Sequence, residues 1–162
     1  MRSPYFPVGA DIFAADIDYR DFEVGSILEL GDGISIKTTR LTHPGGCTGY
    51  RVDYDGRAAA YVSDHEHLPG VENQNVLGLI DGADLVIYDS TYTEEELPEF
   101  TGYGHSTWQE GVKLCKKAGV DKLVLFHHRP RRDDNALRAI EDEARAVFPG
   151  ASAARDGLEF EL

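Results

Sequence analysis

Apolar and polar residues alternate in the first part of the chain in a way that predicts three strands. Residues 34–41 alternate with a period of two, which is typical of a strand with one buried face. Residues 50–54 and 58–62 lie on either side of Asp55-Gly56, a dipeptide that favours a tight hairpin turn. The pattern therefore predicts one strand followed by a two-stranded hairpin.

From Asp84 onward the pattern changes from alternation to short continuous apolar runs. Residues 85–88 and 123–126 are such runs, as expected of strands that are covered on both faces. Between them, Ser106-Thr107-Trp108-Gln109 has the S-x-x-Q spacing of a capping box, which predicts a helix to about Ala118. A strand, a helix and a strand in this order predict two parallel strands with a right-handed crossover.

The end of the chain predicts one more helix. It begins near Asp133 or Asp134 and ends at Pro149-Gly150, and its apolar residues recur at helical spacing: Leu137, Ile140, Ala144, Val147 and Phe148. Short strands near Ala153 and over residues 158–162 are predicted to follow. The first twenty residues, with Pro4, Pro7 and Gly9, show no periodicity. The sequence shows neither repeats nor an interdomain linker, so we expect a single α/β domain over residues 1–162.

Ionisable side chains follow the predicted strands. His43 comes after the first strand, Asp64 after the third and Asp89 after the 85–88 run, and His127 and His128 follow the 123–126 run. Ligands of open α/β sheets bind outside the carboxyl ends of the strands, so we expect these side chains to converge. Imidazole and carboxylate together suit Zn, Mn or Fe.

Each of these residues also has an ordinary structural interpretation. His43 could be a solvated loop residue, Asp64 a capping residue and Asp89 a turn residue. His105 could simply neighbour a helix N-terminus, although the helix dipole disfavours a cationic imidazole there. His127 is the least ordinary, because a histidine that emerges from a buried strand requires a partner.

Four further residues offer donor atoms. His65 and His67 form an H-x-H pair that could bind a metal, but a position in an exposed loop is the favoured interpretation. Cys115 has the helical spacing of a core residue, and Cys47 is favoured as a small buried one. The two cysteines show no metal-finger spacing, which favours a reduced, intracellular protein.

Composition narrows the classes of function. The 162 residues include 16 Lys and Arg against 29 Asp and Glu, for a formal charge of −13. A protein that binds nucleic acid non-specifically needs the opposite balance, so only a locally basic site could bind a polyanion. No apolar run approaches the roughly 18 residues of a membrane span, and the N-terminus does not have the apolar core of a signal peptide. We therefore expect a cytoplasmic protein without membrane contact.

Five segments together resemble the C-terminal half of the metallo-β-lactamase fold hydrolases, in the phosphodiesterase-like branch that includes the tRNA 3′-end-processing endonucleases. The segments are LTHPG at 41–45, YVSD at 61–64, ADLVIYD at 83–89, GHST at 104–107 and LVLFH at 123–127. The resemblance extends from about Tyr5 to the C-terminus. It implies an α/β fold that forms the C-terminal half of an αββα sandwich, with a mixed sheet covered by helices.

The resemblance implies a role for each residue. His43 is similar to the ligand that completes the first metal site, Asp64 to the carboxylate that bridges two metals, and His127 to the ligand of the second metal. His105 is similar to the histidine that assists the leaving oxygen, and Asp89 to the acidic residue that orients it. The implied cofactor is a pair of divalent ions, with Zn as the first expectation and Mn or Fe as alternatives. The implied substrate is a small phosphodiester or a nucleotide.

Beside His127 lies a local basic cluster of Arg129, Arg131 and Arg132. Arg129 and His128 are candidates for binding substrate phosphate, although a loop cluster that faces solvent is the simpler interpretation. Charge reversal at Arg129 distinguishes these two interpretations, because an unchanged Michaelis constant for a phosphodiester would exclude the arginine from the site.

The sequence departs from the family in one respect. Relatives carry an upstream half with an H-x-H-x-D-H motif, and this string does not occur here. The isolated chain is therefore expected to bind metal weakly or not at all, and to be inactive. It could be a fragment, a half-protein that pairs with a partner, or a non-catalytic binding or assembly module that keeps the fold. In each case we expect an exposed apolar sheet face that drives homo-oligomerisation or binding of the missing half.

Overall fold

The computed structural model describes residues 13–162, so the predictions for Pro4, Pro7 and Gly9 lie outside the described residues. Within that range the chain forms one mixed sheet of seven strands, which are adjacent in the order of the sequence. Strands β1 to β4 pair antiparallel, and β4 to β7 pair parallel. The strands are β1 (Ile27–Gly31), β2 (Ile34–Leu41), β3 (Cys47–Tyr54), β4 (Arg57–Val62), β5 (Leu85–Asp89), β6 (Lys122–Phe126) and β7 (Ala151–Ala153).

Helices α1 (Gln74–Ile80), α2 (Trp108–Ala118) and α3 (Asp134–Val147) connect the parallel strands, and a short 3₁₀ helix covers Leu97–Glu99. Residues of all three helices share one core with the side chains of a single sheet face. Those sheet residues include Val62, Val86, Tyr88, Leu123 and Leu125, which are fully buried. None of the described helices is long and apolar enough to cross a membrane.

Most of the predicted elements are confirmed. Strand β2 has the predicted bounds, and the two apolar runs pair in parallel as β5 and β6. The β3–β4 hairpin turns at Asp55 and Gly56, whose φ angles of 47° and 74° are those of the left-handed turn that this dipeptide favours. Strand β3 begins at Cys47, three residues earlier than predicted, because Leu41 and Cys47 still pair across β2 and β3.

The predicted capping box is wrong by one residue. Thr107, rather than Ser106, caps α2, and its hydroxyl accepts a hydrogen bond from the backbone N–H of Glu110 at 3.2 Å. The Ser106 hydroxyl is buried instead, 2.7 Å from Nδ1 of His67 and 3.0 Å from the hydroxyl of Tyr88. Ser106, which the local pattern assigns to the cap, thus makes tertiary hydrogen bonds to His67 and Tyr88 instead.

Three other elements differ from the prediction. Residues 158–162 form no strand. Strand β1 was not predicted, because its apolar residues do not alternate regularly with polar ones. In the structure Ile27 and Leu30 are exposed, and no residue of β1 is fully buried. Helix α1 was not predicted either, since it has only seven residues and Gly78 on its exposed side is a weak helix former.

The sheet face opposite the helices carries a row of apolar side chains, which we call the second face: Val52, Tyr54, Tyr61, Ile87 and Phe126. The rings of Tyr61 and Phe126 meet edge to face at 5.8 Å across β5. Val52, Tyr54 and Tyr61 keep 40%, 55% and 40% of their surface exposed. The second face is therefore a partly exposed apolar surface.

Candidate metal centre at the strand ends

The topology brings four strand ends to one edge of the sheet. Strands β4, β5 and β6 are parallel, and β2 points the same way because two antiparallel pairings separate it from β4. His43, Asp64, Asp89 and His127 follow or end these strands. His105 reaches the same edge from the segment that precedes α2.

Four of these side chains form a compact group. Asp64, Asp89, His105 and His127 each offer a donor atom, and these atoms all lie within 4.8 Å of one another. Nε2 of His127 is 3.3 Å from Oδ1 of Asp64, and Nδ1 of His105 is 3.0 Å from Oδ2 of Asp89. The two imidazole rings stack with their centroids 4.7 Å apart.

Backbone strain occurs at two of the four residues. Among the described non-glycine residues, φ is positive at four, and two of these, Asp32 and Asp55, lie in hairpin turns. The other two are Asp64 and His127, with φ of 53° and 60° at strand ends. Strained backbone is retained where the surrounding structure over-determines it, and it concentrates at functional sites. At both strand ends the left-handed backbone therefore coincides with a side chain that belongs to the group.

Asp89 is the fixed centre of the group. Its carboxylate is fully buried, and Oδ1 accepts hydrogen bonds from the backbone N–H groups of Thr91 at 3.2 Å and Ser106 at 3.3 Å. Oδ2 lies 3.3 Å from the N–H of His65 in addition to its contact with His105. A buried carboxylate requires such donors, and they leave it little freedom to rotate.

Thr91 connects Asp89 to His127. Its hydroxyl lies 2.8 Å from Oδ1 of Asp89, 3.0 Å from Nδ1 of His127 and 2.7 Å from the carbonyl oxygen of His127. A neutral His127 that donates its Nδ1–H to Thr91 presents the lone pair of Nε2 toward Asp64. Sequence reasoning missed Thr91, because its separation of 36 positions from His127 leaves no local signal.

His43 lies beside the group rather than in it. Its ring is 6.0 Å from that of His105, and its Nδ1 accepts a hydrogen bond from the N–H of Gly45. Gly104 packs directly on the ring, since a Cβ at that position would lie 2.3 Å from Cδ2 of His43. The structure thus brings His43 to the same edge, but its donor atoms are not among the four that cluster.

A cavity of about 470 Å³ opens beside the group, and its lining includes His105, His127, His128, Arg129 and Arg131. Nε2 of His128 donates to the carbonyl oxygen of Ala154 at 3.1 Å, and burial lowers the pKa of this imidazole. His128 therefore lines the cavity as a neutral ring whose Nε2 is already engaged.

The arginines of the basic cluster differ in their partners. Glu96 pairs with Arg129 at 3.0 Å and also with Arg132. The guanidinium of Arg129 lies 4.6 Å above the ring of Phe100. Arg131 is exposed at the mouth of the cavity, and within residues 13–162 no ion pair forms at its side chain. The charge of Arg131 is the least neutralised of the three.

The remaining donor residues are mostly buried. His65 and His67, predicted in an exposed loop, are instead enclosed, and burial lowers the pKa of His65 to about 4. Cys115 is a core residue as predicted, and burial raises the pKa of its thiol to about 12. Cys47 is half-buried, with its thiol donating to the carbonyl oxygen of Ser63 at 3.3 Å. These residues do not join the cluster of four.

The donor set fits a divalent metal ion. Carboxylates and imidazoles are ligands that zinc, manganese and iron take in proteins, and the donor atoms of these four side chains lie within 4.8 Å of one another. Like charges at Asp64 and Asp89 would otherwise repel each other at this separation. A cation at the centre of the group would relieve that repulsion.

Comparisons with family models, with curated proteins and with solved structures point to the same superfamily. A sequence model of a family described as "Beta-lactamase superfamily domain" matches residues 4–128. A ribonuclease Z of Gemmatimonas aurantiaca is 46% identical over 80 residues, which is 49% of this chain and 25% of that protein. The chain spans only 25% to 40% of the length of the first few ribonuclease Z proteins that it matches.

Two solved structures share the fold. The metallo-β-lactamase fold protein YhfI from Bacillus subtilis superposes with a TM-score of 0.72 at 24% identity, over 86% of this chain and 54% of that one. The short form of human tRNase Z superposes with a TM-score of 0.61 at 22% identity, over 82% of this chain and 44% of that one. At these identities the likeness concerns the fold alone, which is the mixed-sheet half-sandwich that the sequence resemblance implies.

Proposed function

Because the chain belongs to the beta-lactamase superfamily, with the metallo-β-lactamase fold, we propose that it forms part of a metal-dependent hydrolase of phosphodiester bonds. The observation that carries the proposal is the convergence of Asp64, Asp89, His105 and His127 within 4.8 Å. The similarity to ribonuclease Z proteins supports an RNA or nucleotide phosphodiester as the substrate class.

Three residues would hold divalent metal, with zinc as the first expectation: His43, Asp64 and His127. When bound, such ions lower the pKa of a coordinated water and stabilise the charge that develops on phosphoryl oxygens. Asp64, whose side chain is half exposed, would contribute a carboxylate oxygen, and His127 its Nε2, which lies 3.3 Å from Oδ1 of Asp64.

His105 and Asp89 would act together in proton transfer. Asp89 holds Nδ1 of His105 at 3.0 Å, which fixes the ring, and among residues 13–162 no hydrogen bond engages its Nε2. An imidazole in this arrangement can donate a proton from Nε2 to a leaving alkoxide, while the buried carboxylate stabilises the imidazolium. The fixed contacts of Asp89 keep the donor in place.

Substrate phosphate would enter through the cavity beside His127. Arg129, the candidate from the sequence, lines this cavity but is partly neutralised by Glu96. Arg131 lines it as well and is exposed, so it adds positive charge in a strongly acidic chain. The Nε2–H of His128 would not be available to phosphate, because it already donates to the carbonyl oxygen of Ala154.

The chain alone offers few ligands for two ions. We propose that further ligands come from a second polypeptide segment, either an upstream half or a partner, which would pack on the second face. Without that segment we expect weak metal binding and no turnover. This agrees with the share of the ribonuclease Z proteins that the chain spans.

The metal site is tested by titrating the purified chain with Zn²⁺ and Mn²⁺ in a calorimeter. We expect Asp64→Asn to weaken binding by at least about tenfold, since it removes a charged ligand from the group. Asp121→Asn is the matched control, because Asp121 is an exposed aspartate at the opposite end of β6. Equal affinity in all three proteins would contradict the proposed site.

The activity is tested by hydrolysis of bis(p-nitrophenyl) phosphate with the chain joined to any upstream half that the reading frame encodes. Turnover that is lost in both Asp64→Asn and His105→Ala supports the hydrolase. An upstream reading frame without H-x-H-x-D-H, together with a wild-type chain that binds no metal, would favour a non-catalytic module instead.

A further inference from the structure

The tripeptide His65-Glu66-His67 is buried at a place where the sequence predicts an exposed loop. Glu66 keeps only 6% of its surface exposed, and the two histidines are similarly enclosed. A buried carboxylate is costly unless hydrogen-bond donors surround it. The hydrogen-bond donors that surround the carboxylate of Glu66 therefore indicate what its burial achieves.

The carboxylate of Glu66 binds the backbone of the loop that leads to His105. Its Oε1 accepts a hydrogen bond from the N–H of Gly102 at 2.6 Å, and its Oε2 accepts one from the N–H of Gly104 at 3.0 Å. Both glycines have left-handed φ angles, of 90° and 93°, which side chains rarely adopt. The loop is thus shaped to direct two N–H groups at one carboxylate.

The same tripeptide also holds the segment that carries His43. The backbone N–H of Glu66 donates to the carbonyl oxygen of Thr42 at 2.8 Å, and Nδ1 of His65 accepts from the N–H of Thr42 at 3.3 Å. Glu66 therefore joins the residue before His43 to the residue before His105. The rings of His43 and His105 lie 6.0 Å apart, and Gly104, the residue before His105, packs on the ring of His43.

His67 supports the other side of His105. Its Nδ1 lies 2.7 Å from the hydroxyl of Ser106, the residue that follows His105. His105 is consequently held through both of its neighbours, by Glu66 at Gly104 and by His67 at Ser106. This places its Nδ1 against Asp89.

We propose that Glu66 is a positioning residue that fixes His105 and His43 relative to Asp64 and Asp89. The significance of this for turnover rests on the proposed function, but the positioning itself does not. Glutamine is the informative substitution, because its amide keeps one oxygen acceptor and replaces the other with an NH₂ group that faces an N–H. Glu66→Gln should therefore release one end of the loop without removing the side chain.

The first test is amide hydrogen exchange of the wild-type chain by NMR. Gly102 and Gly104 should exchange at least about tenfold more slowly than Thr101, since no backbone or side-chain acceptor is found for the N–H of Thr101 within the described residues. In Glu66→Gln, exchange at Gly102 or Gly104 should accelerate by about tenfold. Wild-type exchange at Gly104 as fast as at Thr101 would overturn the proposal, and this measurement does not require any variant to fold.

Glu141→Gln is the matched control for the variant. Glu141 is equally buried, but its carboxylate pairs with Arg145 on α3 and approaches Arg155, away from the 100–105 loop. We expect it to leave exchange at Gly104 unchanged. Acceleration at Gly104 in both variants would indicate a general loss of stability and would contradict a positioning role.

The second test measures Zn²⁺ affinity of the same proteins. Glu66→Gln should weaken binding by about tenfold or more, because residues that orient ligands have effects of that size, and Glu141→Gln should not. Unchanged affinity in Glu66→Gln with accelerated exchange would overturn the link between the loop and the site. If the chain joined to its upstream half bound no Zn²⁺, the proposed function would be contradicted, while the exchange experiment would still decide the role of Glu66.

Discussion

At the scale of single residues, the site depends on buried polar groups as much as on its donor atoms. Thr91 contacts Asp89 and both a ring nitrogen and the carbonyl oxygen of His127. Its hydroxyl is the link between the strained turn at His127 and the fixed carboxylate of Asp89. Thr91 therefore orients a candidate ligand without being one.

Thr91→Val keeps the shape of the side chain and removes these contacts. We expect unfolding free energy to fall by about 1–3 kcal/mol, because polar groups of Asp89 and His127 lose a partner, and metal affinity to fall about tenfold or more. Urea denaturation and metal titration measure the two effects. Thr38→Val is the control, since the buried Thr38 hydroxyl donates to the carbonyl oxygen of Ser26 far from the site. Thr38→Val should lower the unfolding free energy but leave metal affinity unchanged. Unchanged metal affinity in Thr91→Val would contradict the role of Thr91.

The residues that sequence reasoning could find are those marked by strand ends. His43, Asp64, Asp89 and His127 lie at the ends of predicted strands, so their arrival at one edge of the sheet could be predicted before the register was known. His43 reaches that edge, but its donor atoms lie outside the cluster of four. Thr91 and Glu66 could not, because their partners lie 36 to 38 residues away and neither residue type is unusual in a loop. The roles of the site residues themselves stay predictions.

At the scale of elements, the sequence pattern predicted most ends of α2 and α3: α2 ends at Ala118 and α3 begins at Asp134 as expected, and only the N-cap of α2 differs, by one residue. Alternation gave β2 its bounds, and the parallel pairing of β5 and β6 followed from apolar runs around a helix. The start of α2 was shifted because Ser106 and Thr107 are adjacent and both residue types favour N-caps. Only the burial of Ser106 against His67 and Tyr88 distinguishes them.

The two hydroxyls should therefore respond differently to alanine. Thr107→Ala removes the cap of α2 and should cost about 1 kcal/mol of unfolding free energy without changing the exchange of the His67 segment. Ser106→Ala leaves the cap intact and removes partners from His67 and Tyr88. Thermal unfolding and hydrogen exchange at the first turn of α2 check this. Faster exchange at Glu110 in Ser106→Ala but not in Thr107→Ala would contradict the assigned cap.

At the scale of the whole molecule, the helices cover one face of the sheet and the second face keeps apolar side chains exposed. Val52, Tyr54 and Tyr61 lie on neighbouring strands, so their exposed surfaces are contiguous. Contiguous apolar surface favours association, because burying it removes it from water. The sequence resemblance implied this exposed surface, and its role in association can be tested by sedimentation.

We expect the purified chain to associate at micromolar concentration through the second face. The double variant Val52→Lys, Tyr54→Lys should shift sedimentation toward the monomer, because it places two charges on the interface. Val147→Lys is the control, since Val147 is comparably exposed on α3, away from this face. A wild-type chain that sediments as a well-folded monomer would contradict the prediction.

The order of the strands in the sheet has a consequence for how the protein is made. Strand β1 pairs with β2, β2 with β3, and so on to β7, so within residues 13–162 each strand after β1 pairs with the strand immediately before it in the chain. During synthesis each emerging strand can add to an edge that has already formed, and contacts between neighbouring segments close small loops first. The antiparallel strands can assemble before α2 and β6 leave the ribosome. The candidate metal site is then completed late, when His127 emerges after β6.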